Sequence, residues 1–166
     1  MIYSPAAPIT PIDQGDLIEG CPVGIVSELT NAVTAVRTVM DVRRVVVHTQ
    51  TCDLANDKTS IALVAEVQDA DTLVREGLLK VADIKGPLRS GRIWGLYFLP
   101  ADAPLGLPEM IVDFRRLHPV KLDVLRALSA ANRRKARVQP LYREHLNKHF
   151  ADTYSRIGLP RPYETL

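Results

Sequence analysis

The run RRVVVHT, residues 43–49, constrains the fold more than any other stretch. Three β-branched residues in succession favour an extended backbone, because branching at Cβ restricts χ1 in a helix. An apolar run without alternation is what a strand shows when both of its faces are covered. The run therefore predicts a central strand, and a central strand requires neighbours. TSIALVAEV (59–67), IWGLYFLP (93–100) and EMIVDFRRL (109–117) supply them, each apolar and bounded by turn residues. QGDLIEGCPVGIV (14–26) reads as two short strands with a turn near Gly20, and NAVTAVRTVMDV (31–42) fits strand or helix.

Helical signals come later. DADTLVREGLLK (69–80) opens with acidic capping residues and predicts a short helix, weakened by Gly77. PVKLDVLRALSAANRRKARV (119–138) carries Leu122, Leu125, Leu128 and Ala131 at near-helical spacing, with Pro119 suited to a first turn. LYREHLNKHFADTYSRIG (141–158) predicts a second helix that Gly158 and Pro160 would close. Loops are expected at KGPLRSGR (85–92) and ADAPLGLP (101–108). The expected architecture is mainly β with α, a small barrel or curled sheet followed by two C-terminal helices. It divides into an extended arm with Pro5, Pro8 and Pro11 (1–13), a strand-rich body with one internal helix (14–118), and a helical extension (119–166).

Composition bounds the function. Apolar residues at 46% and charged residues at 24% are ordinary for a soluble domain. No apolar run reaches the roughly 18–20 residues of a membrane span, and the N-terminus lacks the pattern of a secretory signal, so the reading is cytoplasmic with no membrane partner. The two cysteines, Cys21 and Cys52, are read as free thiols. Charge is uneven. Residues 1–110 hold 9 Lys/Arg and 14 Asp/Glu, a net of −5, whereas 111–166 hold 12 and 5, a net of +7. A basic end on an acidic body points to an anionic partner, such as RNA or another nucleic acid, or to an acidic surface.

Candidate site residues gather where the strongest strand ends. His48 and Thr49 leave it, and Cys52 and Asp53 follow in the turn HTQTCDLAND (48–57). A cysteine becomes a nucleophile when a neighbour such as histidine stabilises its thiolate, so Cys52 with His48 and Asp53 defines a thiol-enzyme reading. The plain reading is a small packed thiol and an Asp-capped turn. Zinc would need further ligands beside His48, Cys52 and Asp53. His145 and His149 are four apart, but Leu146 stands where a metalloprotease carries glutamate. Neither a metal nor another cofactor is expected. Arg133, Arg134, Lys135 and Arg137 form the densest basic cluster and are the candidate nucleic-acid contacts, the alternative being a solvated helix end. Walker A, GxGxxG, HExxH and GxSxG patterns do not occur.

Three segments together resemble the MazF/PemK/Kid toxin family. QGDLIEG (14–20) is similar to its opening strand, RRVVVHTQ (43–50) to its arginine followed by an apolar strand, and EMIVDFRRLHPV (109–120) to its late strand before a closing helix. The resemblance spans about residues 14–125. It implies an SH3-like barrel, a homodimer, an antitoxin-like protein partner and cleavage of single-stranded RNA without a metal. The arginine it assigns to phosphorane charge is Arg43, with Arg44 one position on; guanidinium chemistry suits that task. Its threonine falls in ALVAEVQD (62–69), where Ala65, Glu66 and Val67 stand instead. That departure makes the expected function a catalytically degenerate binding module for nucleic acid or protein. The alternative is an endoribonuclease using Arg43 with His48 or Thr49, and the second alternative is a Cys52-dependent enzyme.

Overall fold

The computed structural model describes residues 1–7, 10–30, 35–56 and 58–155. Its elements are β1 (Tyr3–Pro5), β2 (Asp16–Thr30), β3 (Ala35–Val47), α1 (Thr51–Ala55), β4 (Ile61–Asp69), α2 (Ala70–Arg75), α3 (Val81–Asp83), β5 (Leu96–Leu99), β6 (Met110–Lys121), α4 (Leu122–Ala130), β7 (Arg134–Val138) and α5 (Tyr142–Tyr154). The seven strands form one antiparallel sheet in the order β1-β7-β2-β3-β4-β6-β5, so the sheet is open, with β1 and β5 at its edges.

The central strand is where the valine run placed it. β3 is fourth of seven, and Val45, Val46 and Val47 are each fully buried. The expected turn near Gly20 is a bulge instead. Ile18 pairs with Val45 and Cys21 with Arg43, so β2 carries one extra residue, and Gly20 at φ +73° supplies the left-handed backbone this needs. Residues 14–26 thus lie along one long strand. Beyond Cys21 and Arg43, β2 and β3 pair only with each other, as a ribbon leaving the sheet with Ile25, Val39, Met40 and Val42 exposed.

The C-terminal region departs most from expectation. Pro119, Val120 and Lys121 continue β6, and the helix covers only Leu122–Ala130. A turn with Asn132 at φ +59° then reverses the chain, and Arg134–Val138 is a strand inserted between β1 and β2. The helix to Val138 is therefore corrected. The reason is alternation: Arg134, Ala136 and Val138 point inward and Lys135 outward, a period of two that the preceding leucines mask. Gly158 and Pro160 lie outside the described residues. The expected strand 93–100 shortens to Leu96–Leu99, because Gly95 at φ +79° turns the chain and a Cβ there would lie 3.2 Å from Arg115 Cγ.

Side-chain alternation divides the core. Val46, Ala65, Val67, Val112 and Phe114 face the side covered by α5, whose Leu146 is fully buried among them. Val45, Val47, Val64 and Val120 face the other side, beneath Leu122 and Leu125 of α4. Further along that second face, Ile111 and Leu96 pack with Ala70 and Leu73 of α2 and with Ile84 and Leu88. The second face therefore carries two separate apolar clusters. Among the described residues no helix is long and apolar enough to cross a membrane.

Candidate functional site

The gap between those two clusters is filled by charge. Glu66 stands opposite Val45 on β3 and opposite Asp113 on β6, so it faces the gap. It is 1% exposed. A carboxylate taken this far from water needs partners, and Glu66 has three. His118 Nε2 lies 2.8 Å from Oε1, Arg116 Nη1 3.4 Å from Oε2, and Arg43 Nε 3.9 Å from Oε2. With Glu66 ionised, His118 must carry its hydrogen on Nε2 to donate it.

A break in register builds the rest of the site. Ala65 pairs with Leu117 but Glu66 pairs with Asp113, so Phe114, Arg115 and Arg116 have no partner on β4. Phe114 turns into the core beneath α5, and its N–H donates to the Gly95 carbonyl at 2.8 Å. Arg115 and Arg116 are thrown outward. Asp113, buried below them, accepts from Arg115 Nε and Nη2 at 2.8 Å each, a two-pronged pairing that raises the Arg115 pKa. Arg116 Nε is also 3.8 Å from Asp113 Oδ2, so this arginine spans both carboxylates. Three guanidinium groups thus ring two buried carboxylates, with the heads of Arg115 and Arg116 half-exposed or more.

Of the residues expected to form a site, only Arg43 belongs to this cluster. Arg43, Val45 and Val47 share one face of β3, and His48 turns to the other. The ring of His48 stacks on Phe150 at 5.0 Å, meets Phe114 edge-on at 5.1 Å, and places Nδ1 3.1 Å from Asn147 Oδ1. Burial lowers its pKa to about 4, so it is a neutral core residue at pH 7. Thr49 Oγ1 accepts the Leu63 N–H at 2.7 Å and thereby ties the end of β3 to β4.

Cys52 is exposed on α1, with Gln50 Oε1 at 3.6 Å and Asp53 Oδ1 at 3.7 Å. Its neighbours are an amide and a carboxylate, not the imidazole that the thiol-enzyme reading requires. Cys21 is buried among Ile18, Val23 and Val45, and burial pushes its thiol up to about 11. We therefore expect iodoacetamide to modify one thiol, Cys52, in the native protein and both after denaturation; mass spectrometry of tryptic peptides reads this. Rapid native labelling of Cys21 would contradict the packing described.

The basic cluster is largely consumed by acids. Arg134, 3% exposed, donates to Asp16 Oδ2 at 2.9 Å and to the carbonyls of Thr10 and Pro11 at 2.8 and 2.9 Å. Arg137 donates to both oxygens of Asp16, at 2.7 and 3.0 Å, and Lys135 lies 3.5 Å from Glu19. Arg133 is exposed at the turn before β7. Alternation along β7 turns Arg134 into the core and leaves Lys135 and Arg137 on the opposite side, where each is paired with an acid. His145 and His149 are likewise occupied, by the Tyr97 hydroxyl at 3.0 Å and the Ile93 carbonyl at 3.2 Å. Among the described residues no group of three or more His, Cys, Asp or Glu is placed to hold a metal ion.

The chain matches no protein-family model and no curated protein. The site therefore rests on its own geometry. Its members outside Arg43 were not sequence candidates. Glu66 carried the clearest signal, a lone carboxylate inside the apolar run IALVAEV, since a charge there must find partners. His118 and Asp113 carried no such signal.

Proposed function

We propose that this protein is a binding module for single-stranded RNA, with Arg43, Arg115 and Arg116 as its phosphate contacts. The observation that carries the reading is their mounting: Asp113 pairs with Arg115 Nε and Nη2, Glu66 lies 3.4 Å from Arg116 and 3.9 Å from Arg43, and Arg43 also pairs with Asp41, so the three side chains are held in part before binding. Guanidinium groups match phosphate with paired N–H donors, which favours an anion with several oxygens. A binding role suits the burial of Glu66 better than a catalytic one, because its carboxylate oxygens are already engaged by His118, Arg116 and Arg43. The relation to the MazF/PemK/Kid family, with an SH3-like barrel, a homodimer and an antitoxin-like partner, belongs to the same proposal, supported by the order of the three resembling segments; a cytoplasmic setting is proposed with it.

Fluorescence anisotropy with a labelled single-stranded oligoribonucleotide tests the module. Arg116→Ala and Arg43→Ala should each weaken binding about 5- to 10-fold and flatten the dependence of log affinity on log salt by about 0.7 per arginine. Arg133→Ala should change both much less. Equal effects at all three positions, with circular dichroism unchanged, would remove the arginine band as the site.

One observation favours a second reading, a metal-independent endoribonuclease. Glu66 and His118, 2.8 Å apart beside arginines, have the chemistry of a general base and acid with charge stabilisation. Cleavage of single-stranded RNA in EDTA that is lost in His118→Ala supports this reading, and intact RNA over a range of sequences dismisses it.

A further inference from the structure

Beside the arginines, on the same sheet face, is a cavity of about 270 Å³. Its walls are mostly aliphatic, Leu73 and Leu79 on the α2 side and Leu96 and Ile111 on the sheet side, and Asp113, which Arg115 covers, also lines it. Arg115 and Arg116 stand along one side of it, and Gln68 along another. Gln68 follows Glu66 by two residues on β4, which puts both on one face of the strand. Gln68 is part-exposed, and among the described residues its amide makes no side-chain hydrogen bond, so a donor and an acceptor at the edge of the cavity are open to a ligand.

We propose that this cavity is a base subsite that takes adenine from a single RNA strand, with the adjoining phosphate on Arg115 and Arg116. This rests on the RNA-binding reading and adds a sequence preference to it. The volume falls just below the roughly 300–1,000 Å³ of sites for drug-sized ligands, which suits one base and excludes an extended ligand. A glutamine amide offers a donor beside an acceptor, the arrangement that pairs with adenine N6 and N7. An alkyl chain would fill the walls equally well but would gain nothing from that amide, whereas a base gains paired hydrogen bonds. The arginines retain capacity for phosphate. Asp113 engages only Nε and Nη2 of Arg115, and a guanidinium has further N–H groups to offer.

The test uses the full chain and short labelled oligo(A), oligo(U) and oligo(C) at one salt concentration. Oligo(A) should bind at least about 5-fold more tightly than the other two, the lower end of what a good paired contact to a base contributes. Gln68→Leu should bring oligo(A) down to the level of oligo(U) and leave oligo(U) unchanged. Leu79→Trp, which fills the cavity, should do the same. Equal binding of the three oligomers, or a preference that survives both substitutions, overturns the base subsite; if binding still falls with Arg116→Ala, the RNA module stands without it. Octanoate competing with oligo(A) where AMP does not would also overturn it, in favour of an aliphatic anion. Absence of RNA binding altogether removes both readings together.

Discussion

Asp16→Ala should destabilise the protein by about 3–5 kcal/mol, the usual cost of leaving a buried charge without its counterion. Asp16 is fully buried and its Oδ2 lies 2.9 Å from Nη1 of Arg134, whose side chain is 1% exposed. The same carboxylate takes Nε and Nη2 of Arg137 and the Asp13 N–H. Through Arg134 it also holds the segment leading into β2, because that guanidinium bonds the carbonyls of Ala7, Thr10 and Pro11. Removing the aspartate strands the guanidinium in a dry site and loosens three chain segments at once. Urea unfolding followed by circular dichroism measures the loss. The double variant Asp16→Ala/Arg134→Met should recover part of it, since an apolar pair of similar volume avoids the unpaired charge. A loss under about 1 kcal/mol would mean that water reaches the pair and that it has the value of a surface ion pair.

The second large effect is a dependence of stability on pH set by His48. Burial against Phe114 and Phe150 lowers its pKa in the folded chain to about 4, against 6.5 as the ordinary value. Above pH 6.5 the imidazole is neutral in both states, and its contribution is fully present. As pH falls from 6.5 towards 4 the unfolded chain takes up a proton that the folded chain refuses, so stability is lost through that window. The full loss is about 3 kcal/mol below pH 4, from about 1.4 kcal/mol per unit. Comparing unfolding free energies near neutrality and at about pH 4.5 for the parent and for His48→Leu isolates the term, because carboxylate contributions are common to both. A parent and variant that lose stability in parallel would show that His48 charges freely in the fold. With its pKa near 4 and its ring enclosed, His48 carries no acidic proton at pH 7 and is not placed to act as a general acid.

These two effects also show how far local reading reaches. The valine run demanded a covered strand, and Val45, Val46 and Val47 of the central β3 are buried on both faces. Asp69 to Lys80 announced a short helix, and α2 ends at Arg75, before Gly77. These features depend on neighbours in sequence, which fix χ1 freedom, capping and backbone entropy. Where a strand follows a helix of strong leucine spacing, short-range period does not separate the two, and Arg134–Val138 is such a strand. The basic cluster goes with it: as a strand, it delivers Arg134 to Asp16 in the core and leaves Lys135 beside Glu19.

Residue type and short-range period were enough for two features, a central apolar strand and a first two thirds dominated by strands. Only the tertiary structure decided that Arg43 and His48 face opposite sides of the sheet, that Cys52 has no imidazole beside it, and that Glu66 meets Asp113, His118, Arg116 and Arg43 between two apolar clusters. The cause is register. Glu66 and Asp113 are far apart in the chain and meet because β6 pushes three residues out of the ladder, an offset fixed by how Phe114 packs beneath α5. No local pattern encodes that offset, and it is what puts the arginines on one surface.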